Sequence, residues 1–234
     1  MNKKIHRFFI DTPLAEGTFT IKDEALVNQI VRVLKLRSEE PVILFNNNNR
    51  EATGIITGVS KITVETLIEK VETKTEQCRH VHLYAAILKN ENFEYGIQKA
   101  VEVGIYSITP VITVRTVKTG LKVERLQKIM TEAAELSGRV HVPELFETLS
   151  FEDALARGLQ KGTVIMCDVS GKPHTDILQN IQGPISIFIG PEGGWTEVEL
   201  AQARESGAIT MGLGNFTLRG ETALSIASFL GVNS

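Results

Sequence analysis

Hydrophobic positions follow one pattern in the first part of the chain and another pattern after it. Before residue 72, short runs rich in aromatic and β-branched residues succeed one another at close spacing, as in strands joined by turns. These runs are HRFFI, TFTIK, PVILF, EATGIITGV and KITVETLIEKV. The four asparagines from Asn46 to Asn49 mark a turn between two of the runs. The pattern predicts a small β-barrel with one helix, which we place at residues 1–71.

The helix is predicted to interrupt these strands near residue 24. Asp23 can cap it, because a short acidic side chain there accepts hydrogen bonds from the free backbone N–H groups of the first turn. The apolar positions predicted to share its buried face are Leu26, Ile30, Val33 and Leu34. Its other side carries Arg32, Lys35 and Arg37, and the first two lie about one helical turn apart, which predicts a shared face.

A polar stretch without periodicity follows, and we interpret residues 72–79 as a linker. From residue 80 to residue 234, predicted strands alternate with predicted helices. The strands are HVHLYAAI, SITPVITV, GTVIMCD, PISIFIG and AITMGLG, and the helices include NENFEYGIQKAVEVG, LKVERLQKIMTEAAELSGR, SFEDALARGLQ, HTDILQNI and ETALSIASFLG. This alternation predicts an α/β domain with a mostly parallel sheet that helices cover on both faces.

Capping signals mark the start of the helix SFEDALARGLQ and predict a further helix that begins at Thr196. Ser150 and Asp153 have capping-box spacing, and so do Thr196 and Glu199. Gly207 is well placed to end the helix that Thr196 begins, since glycine readily adopts the left-handed conformation that follows a helix.

Composition and charge place the chain among ordinary globular proteins. It has 234 residues, 42% of them hydrophobic, and a net charge of -3. Residues 1–37 contain seven Lys/Arg and four Asp/Glu, a local charge of +3, so the remainder carries -6 and a basic face can form at the N-terminal end. Polar residues interrupt any signal-peptide core at the N-terminus, and no apolar run reaches the length of a membrane span. We therefore expect a cytoplasmic protein that has no membrane partner.

Cysteine and histidine give no convincing metal or disulfide pattern. The two cysteines, Cys78 and Cys167, cannot build a disulfide framework. His80 and His82 point to one face of a predicted strand with Cys78 before them, but no fourth ligand is in view, so we predict no metal.

Two glycine-bearing segments, FIGPEGG and GLGNFTLRGETA, occur at the ends of two late predicted strands. Glycines at the carboxyl ends of parallel strands let backbone groups reach a ligand directly, and such ends form the binding edge of α/β sheets. The glycines predicted to line one pocket are Gly190, Gly193, Gly194, Gly212 and Gly214. A dinucleotide fingerprint would need glycines where Glu192 and Trp195 stand, and no Gly-Lys-Ser/Thr follows as in a P-loop. The alternative is that these glycines serve only turns and caps.

The same segments carry a family resemblance. IGPEGGWTEVEL, followed about twenty residues later by LGNFTLRGETA, resembles the RsmE family of SPOUT-class methyltransferases, which modify a uridine at N3 in small-subunit (16S) ribosomal RNA. The stretches RFFI, IVRVLKLRSEEPVILFN, IQKAVEVGIYSITPVITVRT and EAAELSGRVHVPEL are also similar to that family, so the resemblance covers nearly the whole chain. The chain departs from the family at Leu136, where glutamine is usual, and at Gly220, where threonine is usual.

The resemblance implies a fold, a cofactor and partners. Members have a PUA-like β-barrel for RNA and a SPOUT α/β domain with a trefoil knot, they bind S-adenosylmethionine, and they form homodimers. The residues that carry over to cofactor binding are Ile189, Gly190, Pro191, Glu192, Gly193, Gly194, Leu213, Gly214, Asn215, Leu218 and Arg219. The cations expected to contact phosphates of the small-subunit RNA are Arg7, Arg32, Lys35 and Arg37.

The implied reaction poses a specific catalytic problem. Uridine N3 must lose a proton, and a cation near O2 and O4 would stabilise the charge that develops there. Arg219 is the first candidate for that cation and Arg139 the second. Glu221 or Glu192 could take the proton or could have a structural role, and Trp195 could stack on a base or simply pack against the helix start.

Two other functions are compatible with the sequence. A non-catalytic RNA-binding or ribosome-assembly protein could use the same fold. A nucleotide-binding α/β enzyme unrelated to RNA would give the N-terminal cations no role.

Overall fold

The computed structural model describes residues 5–89, 91–117 and 119–234. It divides the chain into two compact units. Unit 1 contains the chain up to Glu76 together with Ala134–Val142, and unit 2 contains Gln77–Ala133 and Pro143–Ser234. The assignment of residues 72–79 as a linker between two domains stays a prediction. The last strand of unit 1 extends to Thr73 and so includes the first two residues of that segment.

Unit 1 is built on a five-stranded mixed sheet. Its strands are β1 (His6–Phe9), β2 (Gly17–Ile21), β3 (Pro41–Asn46), β4 (Arg50–Val59) and β5 (Val64–Thr73). Their order is β1-β3-β4-β5-β2, with β1 and β3 parallel and the other pairs antiparallel. Alternating side chains of these strands, among them Phe8, Leu44, Ile56 and Ile68, form a buried core, so the predicted strand pattern is confirmed.

The helix of unit 1 begins as predicted. α1 (Glu24–Asn28) has Asp23 as its N-cap, and the Asp23 carboxylate accepts a hydrogen bond of 2.8 Å from the Leu26 N–H. The helix then continues as a π-helical turn over Gln29–Val33, in which the Leu34 N–H donates to the carbonyl five residues earlier. This wider turn shifts the helical faces, and two predictions made from regular spacing are wrong.

Val33, predicted to be buried, is 67% exposed, whereas Leu36 is buried in its place. A π-helical turn holds more residues than an α-helical turn, so a position three or four residues further on no longer falls on the same side. Lys35 lies beyond the helix with φ of +55°, so it does not share a helical face with Arg32.

Unit 2 contains a seven-stranded sheet in which every described pair of strands is parallel. The strands are β6 (Val81–Ala86), β7 (Ser107–Ile112), β8 (Glu144–Leu145), β9 (Leu149–Ser150), β10 (Thr163–Pro173), β11 (Ile185–Ile189) and β12 (Ile209–Gly212). The order is β12-β10-β11-β6-β7-β8, and β9 also pairs with β7. The predicted α/β class with a mostly parallel sheet is therefore confirmed.

Helices cover both faces of this sheet. The helices of this part of the chain are α2 (Glu91–Val103), α3 (Val123–Ser137), whose last residues belong to unit 1, α4 (Phe151–Lys161), α5 (His174–Leu178), α6 (Glu197–Glu205) and α7 (Gly220–Val232). On one face, Gly231 of α7 lies against Ile185 and Ile187 of β11. On the other face, Phe188 of the same strand belongs to a cluster with Phe151 of α4. Covered on both faces, β6 and β11 are buried along their whole length.

The predicted helix ends agree with the structure. The Ser150 side chain accepts from the Asp153 N–H at 3.2 Å. Thr196 and Glu199 form a complete capping box, with Glu199 accepting from the Thr196 N–H at 2.8 Å. Gly207 follows α6 with φ of +91°, as a helix-ending glycine should. Among the residues that the structure describes, no helix combines the length and the apolarity needed to cross a bilayer.

Candidate functional site

A cavity of about 370 Å³ lies at the carboxyl ends of the central strands of unit 2. Its walls come from the segments that follow β7, β11 and β12, from a bulged part of β10, and from the start of α7. The lining residues are Arg115, Cys167, Asp168, Val169, Ile189, Gly190, Pro191, Glu192, Gly193, Gly194, Trp195, Leu213, Gly214, Phe216, Thr217, Leu218, Gly220 and Ala223. The two predicted glycine clusters therefore meet around one cavity, but the prediction is wrong for Gly212, which ends β12 and is not a lining residue.

Glycines allow close packing and a tight turn in the first cluster. A Cβ on Gly190 would lie 3.2 Å from the indole of Trp195, and one on Gly193 would lie 3.3 Å from Cδ of Arg115. Gly194 has φ of +67° and donates its N–H to the Pro191 carbonyl at 2.8 Å. The loop after β11 is thus a tight turn whose backbone forms one wall of the cavity.

The Trp195 side chain is buried and makes its contacts within the protein. It is 5% exposed, its Nε1 donates to the Cys167 carbonyl at 3.0 Å, and its ring centroid lies 5.5 Å from that of Phe151. Of the two roles considered for Trp195, these contacts support packing at the start of α6.

Arg115 is a lining residue that the sequence analysis missed. Its Nη1 donates to the carbonyls of Gly193 at 2.6 Å and Trp195 at 3.1 Å. Glu199 of the capping box also accepts from the Val114 N–H at 3.0 Å, so the segment after β7 is fastened to the glycine loop at two points. Arg115 follows the carboxyl end of a parallel strand, and that position is the signal that could have identified it.

The bulge in β10 brings a carboxylate into the cavity wall. Cys167 and Lys172 both pair with Met211 of β12, so the four residues between them leave the ladder. Asp168, the first of the four, accepts hydrogen bonds at Oδ1 from the Ser170 N–H at 2.9 Å and hydroxyl at 2.6 Å. Burial, and secondarily the charge of Asp168, raises the pKa of the neighbouring Cys167 thiol, so that thiol is a poor nucleophile at neutral pH.

The structure gathers most of the predicted cofactor residues around this cavity. Those in the lining are Ile189, Gly190, Pro191, Glu192, Gly193, Gly194, Leu213, Gly214 and Leu218. Asn215 and Arg219 are exposed and are not lining residues, although Arg219 is the N-cap of α7 between two residues that are. Glu221 is half-buried in the first turn of α7, and Glu192 accepts a hydrogen bond of 2.8 Å from the Lys89 N–H. That bond supports the structural role for Glu192.

Gly220, where the chain departs from the family pattern, has a local explanation. Gly220 lines the cavity, and a Cβ at this position would lie 2.8 Å from both δ carbons of Leu88. The Leu88 side chain occupies the space that a larger residue would need. Leu136, the other departure, is 68% exposed and is not a lining residue.

Arg139, the second candidate cation, is committed to an ion pair in unit 1. It is 5% exposed, and its Nε and Nη2 donate to the two carboxylate oxygens of Glu76 at 3.1 Å and 2.6 Å. Burial alone would raise the pKa of Glu76, but hydrogen bonds from His141 and Arg139 hold it well below its usual range. The pair stabilises unit 1.

The predicted RNA-contacting cations fall into two groups. Arg7 is 14% exposed and pairs with Glu51 at 2.7 Å, and its guanidinium lies 5.2 Å from the ring centroid of Phe45. Arg32, Lys35 and Arg37 are all exposed. Of the four, these last three present their charges to solvent.

The histidines considered as metal ligands have other partners. His80 stacks on Tyr106 with ring centroids 4.3 Å apart, and His82 shares a hydrogen bond of 2.7 Å with the Ser107 hydroxyl. Burial lowers the pKa of His82 to about 4. In the described part of the chain, no three His, Cys, Asp or Glu side chains are grouped so that they could hold a metal ion.

Comparisons with known proteins agree with this geometry. A sequence model of the RNA methyltransferase domain matches residues 74–230, and one of the RNA methyltransferase PUA domain matches residues 23–69. The ribosomal RNA small subunit methyltransferase E of Bacillus subtilis (strain 168) is 32% identical, over 94% of this chain and 93% of its own. Its counterpart in Mesomycoplasma hyopneumoniae (strain 232) is 29% identical, over 94% of this chain and 95% of its own.

Two solved structures extend the similarity to three dimensions. The methyltransferase of the same type from Neisseria gonorrhoeae, bound to S-adenosylmethionine, superposes with a TM-score of 0.89 at 30% identity, over 96% of this chain and 95% of that one. A putative methyltransferase from Legionella pneumophila, also with this cofactor bound, has a TM-score of 0.87 at 28% identity, over 97% and 96% of the two chains.

Proposed function

Because the chain belongs to the ribosomal RNA small subunit methyltransferase E family, we propose that it transfers a methyl group from S-adenosylmethionine to N3 of a uridine in small-subunit ribosomal RNA. The observation that carries the proposal is the meeting of both glycine segments, from the ends of β11 and β12, around one cavity.

The cavity fits the cofactor chemically. Its volume of about 370 Å³ falls in the range of about 300–1,000 Å³ that small-molecule sites occupy. Ile189, Pro191, Leu213 and Leu218 supply apolar wall, and the glycine turns expose backbone groups that can hydrogen-bond a neutral adenine and ribose. When bound, S-adenosylmethionine supplies a methyl group already activated by a positively charged sulfur, which needs no phosphate-binding lysine.

The protein's own task is to position the acceptor and to manage its proton. We propose Arg219 as the cation that stabilises charge on O2 and O4 of the uracil, because it is exposed between the lining residues Leu218 and Gly220. Glu221 follows in the first turn of α7 and is our candidate to accept the N3 proton. We assign Arg139 a structural role, since Glu76 holds its guanidinium.

Unit 1 is proposed to hold the RNA. We name Arg32, Lys35 and Arg37 the cationic segment and propose that it contacts RNA phosphates. Arg7 is assigned to the stability of unit 1, because Glu51 pairs with it. In a filter-binding titration, the triple alanine variant should lower the salt dependence of RNA binding, while Lys61→Ala, at another exposed site of unit 1, should not.

The closure of the barrel, the knot, the oligomeric state and the cellular location are also proposals. The PUA domain model matches residues 23–69 of unit 1, which supports closure of its sheet into a PUA-like barrel, and we carry over the trefoil knot of the SPOUT fold to unit 2. We propose a homodimer, since α2 and α7 carry the exposed aromatic residues Tyr95 and Phe229, 53% and 54% exposed. A methyltransferase acting on ribosomal RNA is proposed to work in the cytoplasm.

Cofactor binding can be tested by isothermal titration with S-adenosylmethionine. Gly193→Trp should abolish binding, because a side chain there enters the space between the glycine loop and Arg115. Val198→Trp is the matched control, since Val198 is 75% exposed on α6 and does not line the cavity. Absence of binding to the unaltered protein, or equal binding to both variants, would contradict the proposal.

A further inference from the structure

The cavity carries a net charge that matches one form of the cofactor. Its charged lining residues are Arg115, Asp168 and Glu192, so two formal negative charges and one positive charge leave one negative charge. S-adenosylmethionine carries a sulfonium, an ammonium and a carboxylate, and therefore one net positive charge. Its demethylated product, S-adenosylhomocysteine, keeps the ammonium and carboxylate but has a neutral sulfur. The net negative charge of the lining therefore attracts the positively charged methyl donor, whereas the product, which has no net charge, gains no such attraction.

Two of these three side chains are occupied by structural contacts. Arg115 donates to two carbonyls of the glycine loop, and Glu192 accepts from the Lys89 N–H. Glu192 is also exposed, so solvent and salt screen its charge. Asp168 is half-buried, and its Oδ1 is used in the local turn with Ser170. No described residue donates to its Oδ2, which leaves that oxygen available to a ligand.

The surroundings of Asp168 fix its carboxylate in place before any ligand binds. Cys167, the preceding residue, is tied to Trp195 through its carbonyl. Gly171, at the other end of the bulge, lies so close to β12 that a Cβ would be 2.5 Å from the Met211 nitrogen. The turn hydrogen bonds from Ser170 then orient Oδ1. Because the carboxylate is already oriented, ligand binding needs little further loss of side-chain entropy, and little of the electrostatic attraction is offset.

We propose that Asp168 is the specificity-determining residue by which the cavity prefers the positively charged methyl donor over the product. The inference rests on the proposed function. In the transfer, the bond between sulfur and the methyl carbon breaks and its electron pair stays on sulfur, while a new bond joins the methyl carbon to the uracil N3 and the N3 proton passes to the candidate base, Glu221. The sulfur is neutral afterwards, so the attraction to Asp168 falls and the product dissociates more easily.

Isothermal titration of the protein with each ligand measures the ratio of the dissociation constants, product over donor. Asp168→Asn should lower this ratio about tenfold, equivalent to about 1.4 kcal/mol, mainly by weakening the binding of the donor. Asp168→Glu should retain most of the ratio, because it keeps the charge. The matched control is Asp176→Asn, which removes the same charge from an exposed site outside the cavity.

A second measurement needs no variant. Raising the salt concentration should lower the ratio for the unaltered protein, because the preference is electrostatic, and should leave it unchanged for Asp168→Asn. A ratio that neither salt nor Asp168→Asn alters would overturn the inference, as would a ratio lowered instead by Glu192→Gln. Failure of the unaltered protein to bind either ligand would refute the proposed cofactor itself, so the two failures are distinguishable.

Discussion

Replacing Arg115 with alanine tests whether the glycine loop must be held in place for the cofactor to bind. The guanidinium donates two hydrogen bonds, of 2.6 Å to the Gly193 carbonyl and 3.1 Å to the Trp195 carbonyl. Hydrogen bonds from charged groups contribute about 1.5–3 kcal/mol each when buried, and Arg115 is exposed, so we expect about 1–2 kcal/mol for the pair together. If binding must restore the order of the loop, that range predicts an affinity for S-adenosylmethionine roughly 5- to 30-fold weaker.

Two assays check this prediction. Isothermal titration measures the dissociation constant, and hydrogen–deuterium exchange of the Gly193 and Gly194 amides reports whether the loop opens more often. Arg125→Ala is the control, because Arg125 is also exposed and pairs with Glu94 away from the cavity. Unchanged affinity together with unchanged exchange in Arg115→Ala would refute the view that Arg115 orders the cavity wall.

The remaining predictions concern stability and RNA binding. Gly171→Ala should destabilise the protein by about 3 kcal/mol in thermal unfolding, since its Cβ would lie 2.5 Å from the Met211 nitrogen; an unchanged melting temperature would contradict this packing. Glu76→Gln should lower the free energy of unfolding by about 3–5 kcal/mol at pH 7, because the buried Arg139 guanidinium would lose the opposite charge of the Glu76 carboxylate, whereas Glu72→Gln at an exposed pair should have little effect. Because the pKa of Glu76 is lowered on folding, the unaltered protein should lose stability as the pH falls below about 4.3, a component that Glu76→Gln should lack in acid titrations of stability. The triple alanine variant of the cationic segment should reduce the slope of log affinity against log salt by about 0.7–0.9 for each RNA phosphate that the segment neutralises, and an unchanged slope would remove the segment from the RNA interface.

Much of unit 2 could be predicted because its elements follow regular rules. Alternating strand and helix patterns lead to a parallel sheet, and the carboxyl ends of parallel strands lie along one edge. The glycine segments after β11 and β12 could therefore be assigned to one cavity, although β10 lies between the two strands. The capping pair Thr196 and Glu199 could also be predicted, since its spacing in the sequence reflects local hydrogen bonds.

The features that escaped prediction depend on contacts distant in sequence or on backbone irregularities. The π-helical turn that exposes Val33 changes the hydrogen-bond register, which the spacing of apolar residues does not reveal. Arg115 lies beyond the end of β7 and Asp168 lies in the bulge of β10, and neither belongs to the glycine clusters from which the cavity was predicted. The partners of Arg7 and Arg139 are carboxylates far away in the chain, so their structural roles could not be separated from functional ones by sequence.

Transfer of an isotopically labelled methyl group tests the central claim most directly. Small ribosomal subunits from a strain lacking the gene would be incubated with the purified protein and methyl-labelled S-adenosylmethionine, and the RNA nucleosides would be analysed by mass spectrometry. The account predicts label in 3-methyluridine of the small-subunit RNA, and none when Gly193→Trp replaces the unaltered protein. Label in a different nucleoside, or no label from a protein that binds the cofactor, would contradict it.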